Sequence, residues 1–268
     1  MFSVVILTLN EERSLPRCLA SVAQCTDIVV LDSGSTDRTV EIARAAGARV
    51  FTRPFDHFAG QRNYAQREIP FRHPWVFHLD ADEQMTPELW AECHFHLDDP
   101  VDGLLVAPKM LFQGRWIPHC TDFPAYQARF VRAPQFAFIQ VGHGQREAPA
   151  MKLGRLGANY LHDLSAGGEA EWLEKHRRYA RAEAAAFQQA EGGVPWSDFF
   201  SSDRLRHRRA LKRLSYSLPC RPALRFFYQY FLRLGCLDGR PGRRYCQLLA
   251  QYERFAAEEL RAARRQSP

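Results

Sequence analysis

This chain of 268 residues lacks several features that would settle its class at once. Its seven cysteines are odd in number, and none forms a C-x-x-C pair. That excludes a disulfide framework or a cysteine zinc site as the organising device and fits a reducing compartment. No run approaches the roughly 18 apolar residues a membrane-spanning helix needs. The opening MFSVVILTLNEE has no basic leader region, so it reads as a first strand and not a signal peptide. The histidines are scattered without metal-ligand spacing, which argues against a histidine-based metal cluster. There is no internal repeat or low-complexity tract. No glycine-rich basic loop follows the first apolar run, where Leu9-Asn10-Glu11-Glu12 stands instead. A triphosphate-cradling nucleotidylyltransferase is therefore disfavoured.

The composition is that of an ordinary globular protein, 46% hydrophobic and 25% charged. The charge is unevenly distributed. Residues 1–200 hold 20 Lys/Arg against 25 Asp/Glu (−5), and residues 201–268 hold 16 against 5 (+11), which together give the net +6. A basic tail on an acidic body points to an anionic partner. No nucleic-acid module is recognisable and the body would repel a polyanion, so the expected partner is a membrane and not a nucleic acid.

Along the first part, short apolar runs alternate with helical patterns. Ser3–Thr8, Ile28–Leu31, Arg49–Thr52 and Trp75–Asp80 read as strands. Helices are expected over Ser14–Ala23, from a Ser35-Thr36-Asp37 cap to Ala46, and around Ala59–Arg67. Near-continuous Val/Ile/Leu strands separated by helices imply an α/β fold with a mostly parallel sheet covered on both faces. Ligands of such sheets bind outside the carboxyl ends of the strands, where Thr8-Leu9-Asn10-Glu11, Asp32-Ser33 and Asp80-Ala81-Asp82 fall. From Gly103 the pattern becomes more β-like. A long helix is expected over Glu169–Glu191, followed by a boundary near residue 195 and a basic, aromatic helical extension over 196–268.

The most informative stretch is WVFHLDADE, Trp75 to Glu83. In an extended chain Asp80 and Asp82 point the same way, and two hard oxygen ligands suit a divalent cation that also holds a phosphate. The competing reading is a strand running into a helix capped by Thr86-Pro87-Glu88.

Three motifs together, VVILTLNEE, VVLDSGSTDRT and VFHLDADE, resemble the family 2 glycosyltransferases of the GT-A fold. GQRNYA, YLHD, the EWLEKHRRYARAEA helix and LRLGCLDGRPG are similar to the bacterial branch acting on lipopolysaccharide core or exopolysaccharide. The resemblance implies a GT-A nucleotide-sugar domain over 1–195. It implies an inverting, metal-dependent transfer from a nucleotide-sugar, UDP-linked and with UDP-glucose as the donor the branch suggests, to a glycan or lipid-linked acceptor. It assigns Thr8, Asn10, Glu11 and Asp32 to the nucleotide, with Arg62 on the nucleotide side. Many family members carry two adjacent acids after the second strand, whereas this chain has Asp32-Ser33. Asp80 and Asp82 match the metal-binding D-x-D, with Mg²⁺ or Mn²⁺ as the ion. A carboxylate must take the acceptor hydroxyl's proton. Glu147 is the first candidate, Asp122 and Asp163 the next, and the competing reading of Glu147 is a surface salt bridge with Arg146 or Lys152. His162 would orient the acceptor or simply satisfy a hydrogen bond. His143 stands between two glycines whose backbone role is at least as plausible as catalysis.

In the tail, Arg204, Arg206, His207, Arg208, Arg209, Lys212 and Arg213 precede an aromatic stretch, Ala223–Arg233. This combination fits a helix lying at the cytoplasmic face of an anionic membrane, or a helical subdomain with a solvated basic face. A degenerate GT-A protein that binds without transferring is the alternative function.

Overall fold

The structure is a computed structural model and describes residues 1–141, 144–189, 196–199, 201, 207 and 220–266. His143, the expected boundary at 195, and the basic run Arg204, Arg206, Arg208, Arg209, Lys212 and Arg213 lie outside the described residues. The chain divides into two compact units, Met1–Trp116 with Asp122–Ala166, and Ile117–Thr121 with Gly167–Pro268.

The first unit opens as expected. Strand β1 (Ser3–Thr8) leads to helix α1 (Leu15–Ser21), β2 (Ile28–Asp32), α2 (Thr39–Ala45), β3 (Arg49–Thr52), α3 (Phe58–Glu68) and β4 (Trp75–Asp80). The four strands are parallel in the order β3-β2-β1-β4. β1, β2 and β4 are buried on both faces, which is why their sequences run nearly continuously apolar, whereas the edge strand β3 is only partly buried. Helix α2 starts later than the Ser35-Thr36-Asp37 cap predicts. Asp37 accepts from the Thr39 backbone N–H and hydroxyl, and the turn before Thr39 stays non-helical. Gly47 ends it at φ +77°, a left-handed conformation that glycine adopts without strain.

A short strand β5 (Glu83–Gln84) comes next, then α4 (Pro87–Phe95). The Thr86-Pro87-Glu88 cap is present, with the Thr86 hydroxyl accepting from Leu89 N–H at 3.2 Å. The strand-then-helix reading and the acidic strand end are thus both correct and not in competition.

Beyond α4 lie strands β6 (Gly103–Phe112), β7 (Arg115–Trp116) and β8 (Gln127–Arg132), then a hairpin of β9 (Phe138–Val141) and β10 (Gly144–Glu147), then β11 (Leu153–Asp163). β8 pairs antiparallel with both β4 and β6, and β11 runs parallel to β6. The sheet order is β3-β2-β1-β4-β8-β6-β11-β5, with β7 paired to β6. This is the α/β fold expected, parallel at first and mixed beyond β4. Its core joins Val4, Ile6, Trp75, Phe77, Leu104, Val106 and Phe130 beneath α1 and α4. Trp75 is fully buried, stacks on Phe130 at 4.6 Å and donates its indole N–H to Leu97 O at 2.6 Å.

The second unit contains α5 (Gly168–Gln189), α6 (Trp196–Phe199), α7 (Arg221–Phe227), a π-helical turn Tyr228–Leu232, a 3₁₀ turn Gly235–Asp238, and α8 (Gly239–Gln266). Ala180 of α5 packs with Phe255 and Ala256 of α8, beside Leu173 and Tyr252. Helix α5 therefore groups with the C-terminal helices, and the chain changes unit at Ala166/Gly167, ahead of residue 195. Asp238 is buried and accepts from Cys120 N–H at 2.8 Å and from the His119 ring at 2.7 Å, which ties the Ile117–Thr121 segment to this unit.

Candidate functional site

Register decides what meets at the carboxyl edge of the parallel strands. Thr8 stands opposite Asp32, Asp32 opposite Thr52, and Leu7 opposite Asp80. The ends of β1, β2 and β4 therefore converge, as the sequence implies.

The two loops above β1 and β2 are laced together. The Asn10 carboxamide accepts from Thr36 N–H at 2.8 Å, and Asn10 N–H donates to the Ser35 hydroxyl at 2.8 Å. Glu11 N–H donates to the Thr39 hydroxyl at 2.7 Å, and Glu12 N–H to Asp37 at 3.1 Å. Asn10 holds φ +57°, a conformation its short polar side chain tolerates. Asp32 is buried and accepts from Thr8 Oγ1 at 3.0 Å and from the N–H groups of Gly34 and Ser35. Its carboxylate shapes the loop beneath the lip. Gln61 of α3 pins the next loop, donating to Ser33 Oγ and to Arg53 O.

At the end of β4 the acids have distinct environments. Asp80 Oδ1 accepts from Arg62 at 2.8 Å and Asp80 Oδ2 from Arg129 at 3.1 Å. Burial alone would raise the Asp80 pKa, but the charges of Arg129 and Arg62 override it and hold the carboxyl well below the usual range. Glu83 is fully buried. It accepts from Arg129 at 2.7 Å and from Asp80 N–H at 2.8 Å. Burial dominates its titration, with Asp80 and Asp82 adding repulsion against the pull of Arg129 and His162, and its pKa rises to about 7.

Asp82, with 26% of its side chain exposed, has His162 Nε2 at 3.3 Å. Burial would lower the His162 pKa. The Asp82 hydrogen bond and charge, backed by Glu83 and Asp80, reverse that and lift it to about 9. The site is thus a cluster in which Arg62, Arg129 and Glu83 are buried, while Asp80 and the Asp82–His162 pair are each about a quarter exposed.

Under this cluster lies His78, fully buried with its ring edge-on to Phe138 at 5.5 Å. Burial drives its pKa far down, and the nearby charges of Arg62 and Arg129 add to the effect, so the ring is neutral.

The expected base candidates separate. Asp163 is a structural anchor: one oxygen accepts from Ser165 N–H and hydroxyl, the other from Arg17 at 3.1 Å. Asp122 lies on the exposed segment that leads to β8. Glu147 sits on β10 directly opposite Phe138, so both side chains share one face of the hairpin. Phe138 is buried on that face, and Asn63 of α3 clamps its backbone through two 2.9 Å hydrogen bonds. Glu147 is half-buried on the inner face, and Arg146, exposed, is on the other.

Arg129 is the member of this cluster that the motifs do not reveal. Its signal is a lone arginine in the apolar strand Ala128–Val131, where a buried charge requires a partner.

The model of the family described as glycosyl transferase family 2 matches residues 3–138. An uncharacterized glycosyltransferase of Rickettsia typhi is 38% identical over 94 residues, covering 35% of this chain and 32% of that protein. The lipopolysaccharide core biosynthesis glycosyltransferase LpsC of Rhizobium meliloti is 38% identical over 92 residues, covering 32% of this chain and 33% of that protein. The chain thus spans about a third of the length of these relatives. Among solved structures, S. aureus TarS 1–349 is 17% identical with a TM-score of 0.49, over 98% of this chain and 91% of that one.

Proposed function

The chain belongs to glycosyl transferase family 2, and we propose that it moves a sugar, with inversion, from a UDP-linked donor to a lipopolysaccharide-core or lipid-linked polysaccharide acceptor. The division of labour within Asp80-Ala81-Asp82-Glu83 carries this reading. Glu83 and both oxygens of Asp80 are held by arginines, whereas Asp82, about as exposed as Asp80, has only the His162 ring beside it among the ion pairs of the described residues. A purely structural ion-pair network would have no need to leave Asp82 without an arginine.

The donor set fits Mg²⁺ or Mn²⁺ in a specific way. Among the described residues no group of three or more His, Cys, Asp or Glu is positioned to hold a metal by itself. Both Asp80 oxygens are engaged by guanidinium groups, so Asp82 is the carboxylate that would hold the ion, with nucleotide phosphates and water as the other donors. A divalent ion bound there supplies charge neutralisation for the departing diphosphate. Asp80, fixed on both sides, positions the 80–82 turn. His162 lies against Asp82 and orients it. Asn10, Glu11 and the loop braced by Asp32 form the lip that receives the nucleoside. Glu147 takes the proton from the acceptor hydroxyl, which then displaces the diphosphate at the anomeric carbon from the opposite face. The lipopolysaccharide-core name of the Rhizobium meliloti relative supports the acceptor class.

The test is turnover of a panel of nucleotide-sugars with Mn²⁺, Mg²⁺ or EDTA, with Asp82→Asn alongside. The expected result is metal-dependent turnover of a UDP-sugar, reduced about a hundredfold or more in the variant. Donor binding without turnover by the wild type would instead establish a degenerate transferase that only binds.

A further inference from the structure

Among its described residues the second unit carries an exposed apolar surface. From Leu224 to Leu237, Leu224, Phe227, Tyr228, Phe231, Leu232, Leu234 and Leu237 are each 44% exposed or more, Leu232 by 65% and Leu237 by 59%. The first four have the i, i+3, i+4, i+7 spacing of one helical stripe. The opposite side is anchored. Gln229 is buried and donates to Cys120 O at 2.6 Å, and Arg233 donates to Thr121 O at 2.9 Å. The stripe therefore faces outward from a fixed backbone. Phe227 and Phe231 lie ring against ring, 5.1 Å apart. Single exposed apolar residues are ordinary, but seven within fourteen positions mark an interaction surface.

Charge identifies the occupant. Residues 220–252 contain six arginines and one acid, Asp238; of the arginines, Arg221 is paired with Glu253 and Arg244 with Glu169. Asp238 is buried and paired with His119. Arg240 and Arg243 are exposed just past Leu237. A second copy docked through the same patch would gather two arginine-rich borders around one interface with no exposed acid from this stretch to offset them, which anionic headgroups would do. Leucine and aromatic side chains flanked by arginine match a bilayer interface with anionic headgroups. No described helix is long and apolar enough to cross a membrane.

We propose that the Leu224–Leu237 surface docks into the interface of an anionic lipid bilayer, with Arg240 and Arg243 on the headgroups. The inference does not depend on the transferase reading, because its readout is binding alone.

The experiment is co-sedimentation of the full chain with phosphatidylcholine vesicles containing or lacking phosphatidylglycerol, at low and high salt. Binding to the anionic vesicles is expected, weakened by salt. Phe227→Ser/Phe231→Ser/Leu232→Ser should reduce partitioning by about tenfold or more. Arg240→Glu/Arg243→Glu, a second variant on exposed positions, should remove the preference for phosphatidylglycerol. Circular dichroism should show both variants folded as the wild type. Full-length protein that stays in the supernatant at low salt would overturn the proposal. So would a triple variant that sediments like wild type, or a patch-dependent dimer without vesicle binding.

Discussion

Replacing Arg129 with methionine removes the centre of the buried charge cluster, and its cost is set by the groups left behind. The guanidinium bonds Glu83 at 2.7 Å and Asp80 at 3.1 Å, and lies over the Tyr160 ring at 5.1 Å. Glu83 is fully buried, so water cannot replace the lost donor. Breaking a buried pair from one side costs about 3–5 kcal/mol. For a chain of this size that is a fall of roughly 10 °C in the unfolding midpoint.

The pH dependence has a definite sign. The Glu83 pKa, ordinarily 4.5, stands at about 7 in the fold, and loss of Arg129 pushes it higher. A carboxyl with a raised folded pKa binds more protons folded than unfolded between those values. Its contribution therefore falls as pH rises through the window, by about 1.4 kcal/mol per unit. The Arg129→Met deficit should stay level from pH 5 to 7, where Glu83 is protonated in both folded proteins, and grow by about 1 kcal/mol towards pH 8, where only the wild type has released the proton. Glu83→Gln removes the charge while keeping the shape. The double variant should be less destabilised than the sum of the singles, and the part of the pH dependence due to Glu83 should be gone from it. Urea denaturation of the four proteins across that pH range is the assay. Additive losses with no pH dependence would refute the reasoning.

Two other outcomes are expected. Glu147→Gln should lower transfer about 10²–10⁴-fold while donor binding, measured by calorimetry, stays unchanged; equal activity would remove it as the base. Asp27 is buried and accepts from Ser3, the Arg72 N–H and Arg49. Burial would raise its pKa, but these hydrogen bonds lower it, so its contribution is present above pH ~4 and lost as pH falls further. Asp27→Asn should cost about 2–4 kcal/mol at pH 7 and flatten the acid limb of the stability curve; an unchanged acid limb would show that its partners hold nothing.

The sequence by itself determined three of the four parallel strands, because a strand buried on both faces must be nearly all apolar, and that is a local property of Val4–Leu7, Val29–Leu31 and Trp75–Leu79. It also determined that Thr8, Asn10, Asp32, Asp80 and Asp82 lie at one edge, since parallel strands share a direction. Only the tertiary structure decided how the acids differ. Asp80 and Asp82 look alike in the chain. Arg62 from α3 and Arg129 from β8 claim the first, and His162 from β11 faces the second. Those partners lie 18, 49 and 80 residues away in sequence, and local periodicity carries no information about such crossings. The same holds for the base candidates: Asp163 is consumed by Ser165 and Arg17, and the pairing of β10 with β9 turns Glu147 inward beside Phe138. The basic tail was legible as charge. Its outward apolar stripe became visible once Gln229, Arg233 and Asp238 had fixed which side of the helix faces in, because burial is set by what packs against a helix and not by its periodicity alone.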